Sequence, residues 1–241
     1  MNTSSNGYVL GFAIGVCVII SAALAVTSAA LKDTQDAAAE FDRQKNVMMA
    51  AGQLKAGDTR SRQELEQAYK DNVREVLIDT ETGKEATDKR VEDRAKMSEA
   101  DQKRYRMLAI AKGADGKPEA YVLPISGKGL WSTLYGYLAL GADATTVKGL
   151  TFYKHGETPG LGGECENPEW TAKWVGKSIL EGDKLTGIVV KKGVVDPAVP
   201  FEKAHMVDGL SGATITCNGI NKFVKADLKA FDTFLAPIRK K

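Results

Sequence analysis

Apolar residues are spaced along this chain in three ways, and each spacing predicts a different kind of element. From Tyr8 to Leu31 there is no charge, and Val, Ile, Leu, Ala, Gly and Phe dominate. As a helix that stretch extends about 36 Å, enough to cross a bilayer. Farther along, Met107–Ala111, Tyr121–Ile125, Ser132–Leu140 and Val147–Tyr153 are short apolar runs separated by turn residues at 113–118 and 141–144. They predict two strand pairs and the core sheet. In the last stretch Ile220, Phe223, Val224, Leu228, Phe231 and Leu235 recur at steps of three and four, one face of a long helix.

The segments between are less apolar. Residues 33–55 predict a helix continuing from the apolar segment, with Phe41, Val47, Met48 and Leu54 too sparse for a core element. Ser61 to Val73 predicts a surface helix, opened by Ser61 and Glu64 as a capping box. Val76–Ile78 is a short strand, and the charged stretch Asp79–Arg104 is a solvated loop with some helix. Asn167-Pro168-Glu169-Trp170 opens a short helix, and Leu185–Val190 is a further strand. The sum is an α+β protein: an amino-terminal segment and transmembrane helix at 1–31, a helical and charged connecting region at 32–99, and one domain at 100–241.

Composition narrows the function classes. A hydrophobic share of 43% over 241 residues supports a real core. The net charge of +2, from 33 basic and 31 acidic residues, excludes the basic stripe of a nucleic-acid binder. Cys17, Cys165 and Cys217 are too few and scattered for a disulfide scaffold or zinc site, and two histidines do not make a histidine-rich metal centre. The first apolar run lacks a preceding Lys or Arg and exceeds a signal core of about 7–15 residues, so it reads as an uncleaved anchor. Gly11-x-x-x-Gly15 would permit close approach of another membrane helix. Lys32, Arg43 and Lys45 follow the span, which by charge alone puts the main domain in the cytoplasm.

The candidate chemistry sits in three loops. Asp208-Gly-Leu-Ser-Gly-Ala-Thr-Ile-Thr216 brings small residues and hydroxyls to the start of the last helix, where free amides and the helix dipole favour an anion. Ser211 is the candidate N-cap there, Gly212 and Ala213 leave the first turn open, and Thr214 and Thr216 add hydroxyls. Ser126-Gly-Lys-Gly-Leu-Trp131 offers exposed backbone and a large ring but lacks Walker spacing. His155-Gly-Glu-Thr-Pro-Gly-Leu-Gly-Gly163 is an irregular loop in which His155 and Glu157 are incomplete for metal or acid–base work and brace the backbone. A serine hydrolase using Ser211 is disfavoured, because the Gly-x-Ser-x-Gly elbow is missing and no matching histidine and acid can be assigned.

The stretch 208–216 resembles the flavinylation motif Asp-x-x-Ser-Gly-Ala-Thr-x-Thr, on which a flavin transferase esterifies the phosphate of FMN to the last threonine. Together with Arg-Gln-Lys-Asn at 43–46, Gly-Lys-Gly-Leu-Trp-Ser-Thr-Leu-Tyr-Gly at 127–136 and the loop 155–163, it makes nearly the whole chain similar to the NqrC family, FMN-binding components of the sodium-translocating NADH:quinone reductase. The related flavoprotein of Rnf-type electron-transport complexes shares the motif and a similar glycine loop but lacks the Gly-Leu-Trp-Ser-Thr-Leu-Tyr-Gly pattern.

That resemblance implies an electron-carrying subunit of the bacterial inner membrane, passing electrons from NADH toward quinone. It implies a domain on the periplasmic side, against the charge reading, with other membrane and flavin or iron–sulfur subunits as partners. Thr216 would carry covalent FMN, with Ser211, Gly212, Ala213 and Thr214 at the phosphate. Gly129, Leu130, Trp131, Thr158 and Leu161 would approach the ring, on loops completed by Glu157, Gly160 and Gly162. No residue is assigned a catalytic or metal-binding role, and Cys165 and Cys217, though permitted to pair in an outer compartment, are assigned none. The alternatives are an Rnf-type flavoprotein and a membrane-anchored binding protein without cofactor.

Overall fold

The computed structural model describes residues 5–55 and 57–240. The first few residues of the 1–31 segment, including the terminal amine weighed against Lys32, lie outside them. The chain divides into two compact units, Met1–Arg43 and Gln44–Lys241. The first consists of the greater part of α1, a 45-residue helix over Asn6–Ala50 whose last residues belong to the second. Its stretch around Val9, Leu10, Phe12, Ile19 and Val26 exposes large apolar side chains all round, as a lipid-facing helix does. It is long and apolar enough to cross a membrane.

In the second unit α2 (Arg62–Asn72) starts at the expected capping box, with the Glu64 amide on Ser61 Oγ and the Ser61 amide on the Glu64 carboxylate. Beyond it lies a six-stranded antiparallel sheet of β1 (Val73–Asp79), β2 (Lys84–Glu85), β3 (Tyr105–Lys112), β4 (Pro118–Lys128), β5 (Thr133–Gly141) and β6 (Val147–Lys154), in the order β2-β1-β3-β4-β5-β6. A short helix α3 (Glu99–Arg104) leads into β3. After β6 come α4 (Pro168–Ala172), the small pair β7 (Leu180–Glu181) and β8 (Lys184–Leu185), β9 (Val189–Val190), α5 (Pro200–His205), β10 (Met206–Val207) and α6 (Thr214–Arg239).

Strand alternation sorts the sheet into two faces. Leu108, Ile110, Leu123, Ile125, Leu138 and Leu140 form one, packed against Ile220, Phe223, Val224, Leu228 and Phe231 of α6. Many of the intervening residues are small and also buried, among them Ala109, Ala111, Val122 and Ala139. A face of small residues lets backbone approach. The last turn of α1 does so: a Cβ on Gly149 would lie 2.2 Å from the Ala50 carbonyl oxygen, and Gln53 Nε2 donates to the Lys112 carbonyl at 2.9 Å.

Three expectations are therefore corrected. Val47, Met48, Ala50, Ala51 and Leu54 are buried, because a short apolar patch suffices to cover a sheet face of alanines. The expected boundary at residue 100 fails as well, since β1 and β2 belong to the same sheet and the compact unit starts at Gln44. Leu185–Val190 is two pieces, because Gly187 turns at φ +74° and the amides of Thr186 and Gly187 both donate to the Ile179 carbonyl. β9 instead pairs in parallel with β10.

Helix α6 lies close to the end of β4. A Cβ on Gly219 would fall 2.3 Å from the Lys128 carbonyl oxygen, so Gly219→Ala should destabilise the full chain by about 1–3 kcal/mol in urea titration through overpacking. At the far edge the Arg104 guanidinium, with the Glu81 amide, holds the Asp79 carboxyl down to about 2 from an ordinary 3.8. This contribution is present above about pH 3.8 and is lost as pH falls through about 2. An acid titration of Asp79→Asn should show shallower loss of stability across that window.

Candidate functional site

The site is assembled where the end of β4, the loop after β6 and the start of α6 meet. Asp208 fixes the approach to α6: its carboxylate accepts from the Val195 amide at 2.7 Å and pairs with Lys173 at 2.7 Å, while its carbonyl accepts from Trp170 Nε1 at 2.8 Å. Lys173 first, then the Val195 amide, hold that carboxyl below its ordinary value. Downstream, Gly212 adopts φ +70°, a conformation that favours glycine, and the chain enters the helix only at Thr214. Ser211 is thus not the N-cap. Ala213 is, and no side chain caps the helix, so the first-turn amides are left available to an anion.

A groove of about 620 Å³ opens beside this helix start, within the usual range of ligand pockets. Ser211, Gly212 and Thr214 line one side, and Lys191, Lys192 and Gly193 line the other. The last three were not anticipated. Lys-Lys-Gly directly after the Val189-Val190 strand was the available signal, but two lysines in a chain with 33 basic residues carry little weight alone. Lys191 is already engaged with Glu202, whereas Lys192 is exposed on the rim.

Thr216 faces elsewhere. Its side chain is only 1% exposed, and its hydroxyl donates to Glu157 Oε2 at 2.6 Å. Glu157, 5% exposed, also accepts from the amides of Trp131 at 2.9 Å and Ser132 at 3.1 Å through Oε1, and of Leu130 at 3.2 Å through Oε2. Burial pushes the Glu157 carboxyl up, but the Thr216 hydroxyl and those three amides outweigh it, and the net direction is down. The carboxylate is ionised and supplied with four donors. His155 supports the same loop, its Nδ1 accepting from the Glu157 amide at 3.3 Å.

The packing here is tight. A Cβ on Gly162 would lie 2.7 Å from Thr216 Oγ1 and 2.8 Å from Glu157 Oε2, and one on Gly129 would lie 2.8 Å from Glu157 Oε1. The glycines of both loops therefore let two backbones close around one carboxylate. The structure brings Gly129, Leu130, Trp131, Glu157, Gly162 and Thr216 into a single cluster. Leu161 extends it by covering Gly212, where an added Cβ would meet Leu161 Cδ2 at 2.7 Å. Trp131 (66% exposed), Leu130 and Leu161 (43% each) project from the surface, and Thr158 and Gly160 are exposed on the outer turn. The groove walls include none of Gly129, Leu130, Trp131, Thr158 or Leu161.

Cys165 and Cys217 are both free and buried. Burial, followed by the charges of Glu166 and Glu157, pushes the Cys165 thiol up to about 12. Burial raises Cys217 as well, although the Leu210 amide donates to its sulfur at 3.4 Å. Thiols of this kind are unreactive.

Residues 129–229 match the family described as FMN-binding domain. The NqrC component of the Na(+)-translocating NADH-quinone reductase of Pseudomonas aeruginosa is 36% identical over 260 aligned residues, covering 99% of this chain and 98% of that protein. Its counterpart in Pasteurella multocida is 37% identical over 92% of this chain and 89% of its own length. Among solved structures, NqrC of Shewanella oneidensis superposes with a TM-score of 0.69 at 28% identity, over 85% of this chain and all of that one. The counterpart from Parabacteroides distasonis gives 0.68 at 26%, over 85% and 96%.

The Glu157 cluster has a measurable energetic consequence. Thr216→Val keeps the shape but removes a donor from a buried carboxylate, so the unmodified full chain should lose about 1–3 kcal/mol in denaturant titration.

Proposed function

This chain belongs to the NqrC family of Na(+)-translocating NADH-quinone reductase components, and from that premise we propose that FMN is held as a phosphoester on the Thr214 hydroxyl, which faces the groove, rather than on Thr216 as the motif resemblance implies, since Thr216 is buried against Glu157. The protein is the FMN-carrying subunit of an oxidoreductase complex. The observation that carries the covalent reading is the position of Thr214: the exposed first residue of a 26-residue helix whose amino terminus has no side-chain cap, on the groove wall and within the Asp208–Thr216 motif.

The residues present suit the group. First-turn amides, the Ser211 hydroxyl and the Lys192 ammonium can surround a phosphate on Thr214, while Trp131, Leu130 and Leu161 offer exposed aromatic and apolar surface to a flat ring. Bound FMN supplies the electron-transfer chemistry, and the protein supplies position and electrostatics. A tether keeps the cofactor on a site open to solvent, where buried contacts alone give little hold. Its donors and acceptors are then flavin or iron–sulfur centres on neighbouring subunits, and a flavin transferase completes the protein. α1 anchors it in the inner membrane, with the domain on the periplasmic side.

Intact mass of the full chain made with a flavin transferase tests the tether. Wild type should gain an FMN-sized increment that Thr214→Ala lacks; an increment that persists in Thr214→Ala and is lost in Thr216→Ala returns the tether to Thr216, and wild type without the increment removes the proposal. An engineered surface cysteine on the domain should be labelled by an impermeant reagent from the periplasmic side, and labelling only from the cytoplasm would reverse the orientation.

A further inference from the structure

This inference rests on the reading of Thr214 as the esterified residue and concerns what else holds the phosphate there. Polar side chains beside the groove are of two kinds. Lys191 is engaged by Glu202, and farther along α6 Asn221 accepts from the Val190 amide at 2.6 Å and donates to the Val190 carbonyl at 3.0 Å, which fastens β9 to the helix. These build the wall. Ser211, Thr214, Lys192 and Asn218 are exposed on it instead, and among the described residues none of their side chains has a hydrogen bond or ion pair. Asn218 is the one of these four that has no part yet in holding the cofactor. We propose that Asn218 is a cofactor-binding residue, its side-chain amide donating to a phosphate oxygen of the FMN ester on Thr214.

Helix geometry places the amide there. Residues four apart lie one above the other on a helix, and each Cα–Cβ bond tilts toward the amino terminus, so the Asn218 side chain covers the turn that begins with Thr214. Both residues line the same groove. The Cys217 amide bonds back to the Ala213 carbonyl at 2.9 Å, so the amides of Thr214, Ile215 and Thr216 precede the first helical bond and lack an intrahelical partner. They meet the phosphate at the helix end, Lys192 meets it from across the groove, and Asn218 meets it from the helix flank.

The residue type fits this use better than a structural one. Asparagine is a weaker helix former than alanine, and within a helix it is justified by what its amide bonds. Asn221 shows such a use in its two bonds to Val190, whereas Asn218 bonds nothing in the fold. A phosphodiester carries one negative charge on two free oxygens and takes several donors. An amide supplies them without the repulsion that a carboxylate at the same place would bring.

The test compares melting temperatures of the full chain in detergent before and after flavinylation, with the extent of modification read by intact mass. Unmodified Asn218→Ala should melt at or slightly above wild type, because alanine is the better helix former, whereas its change on flavinylation should be less favourable by about 2–4 °C. A structural role would lower both forms alike. Asn218→Asp should respond less favourably still, by a margin that grows at low ionic strength. A flavinylation response of Asn218→Ala equal to that of wild type overturns the proposal. Should Asn218→Ala take up no FMN or fail to fold, Asn218→Gln decides: modification with a response near wild type supports the contact, and failure there too overturns it. An FMN increment that persists in Thr214→Ala defeats the reading of Thr214 itself. A modified wild type, an unmodified Thr214→Ala and an undiminished response in Asn218→Ala defeat only this inference.

Discussion

A buried carboxylate holds the two functional loops of this protein to its C-terminal helix. Glu157 reaches from the loop after β6, gathers three amides from the loop after β4 and takes the hydroxyl of Thr216 at the start of α6. An unpaired buried charge is expensive, and one with four donors is tolerable only if all of them stay in place. The shapes of both loops are therefore coupled through one side chain. Gly129 and Gly162 follow from it, because a methyl group at either would lie within 3 Å of a carboxylate oxygen.

The sheet makes that arrangement possible. Antiparallel pairing of β4 with β5, and of β5 with β6, brings the loops after β4 and β6 to the same end. α6 lies against the apolar face, with Gly219 close to the Lys128 carbonyl, and so delivers Thr216 beside both loops. On the opposite face alanines admit the end of α1, anchored at Gly149.

Much of this was legible in the sequence because it depends on local pattern. The hairpin turns, the Ser61–Glu64 cap, the Asn167–Pro168 helix start and the spacing of Ile220 to Leu235 report neighbours within one or two turns of chain. What escaped depends on partners far away. Val47, Met48 and Leu54 were too sparse to identify as core until the alanine face opposite was known. Ser211 had the chemistry of a cap, but Gly212 at φ +70° moved the helix start past it. His155 and Glu157 were rightly read as braces, yet what Glu157 braces lies 25 to 59 residues away and left no periodic signal. Lys191 and Lys192 reach the groove through the parallel pairing of β9 and β10, a contact that strand patterning does not reveal.

Two opposite electrostatic environments lie two residues apart in this motif. At Thr214, exposed in the groove, are first-turn amides without a side-chain cap and the exposed Lys192, which favour a phosphate. At Thr216 is the Glu157 carboxylate, which repels one and instead takes the hydroxyl as a donor. The motif holds two threonines, and the contact with Glu157 separates their roles: Thr214 is left to the anion site, while Thr216 ties the start of α6 to the loops that Glu157 gathers.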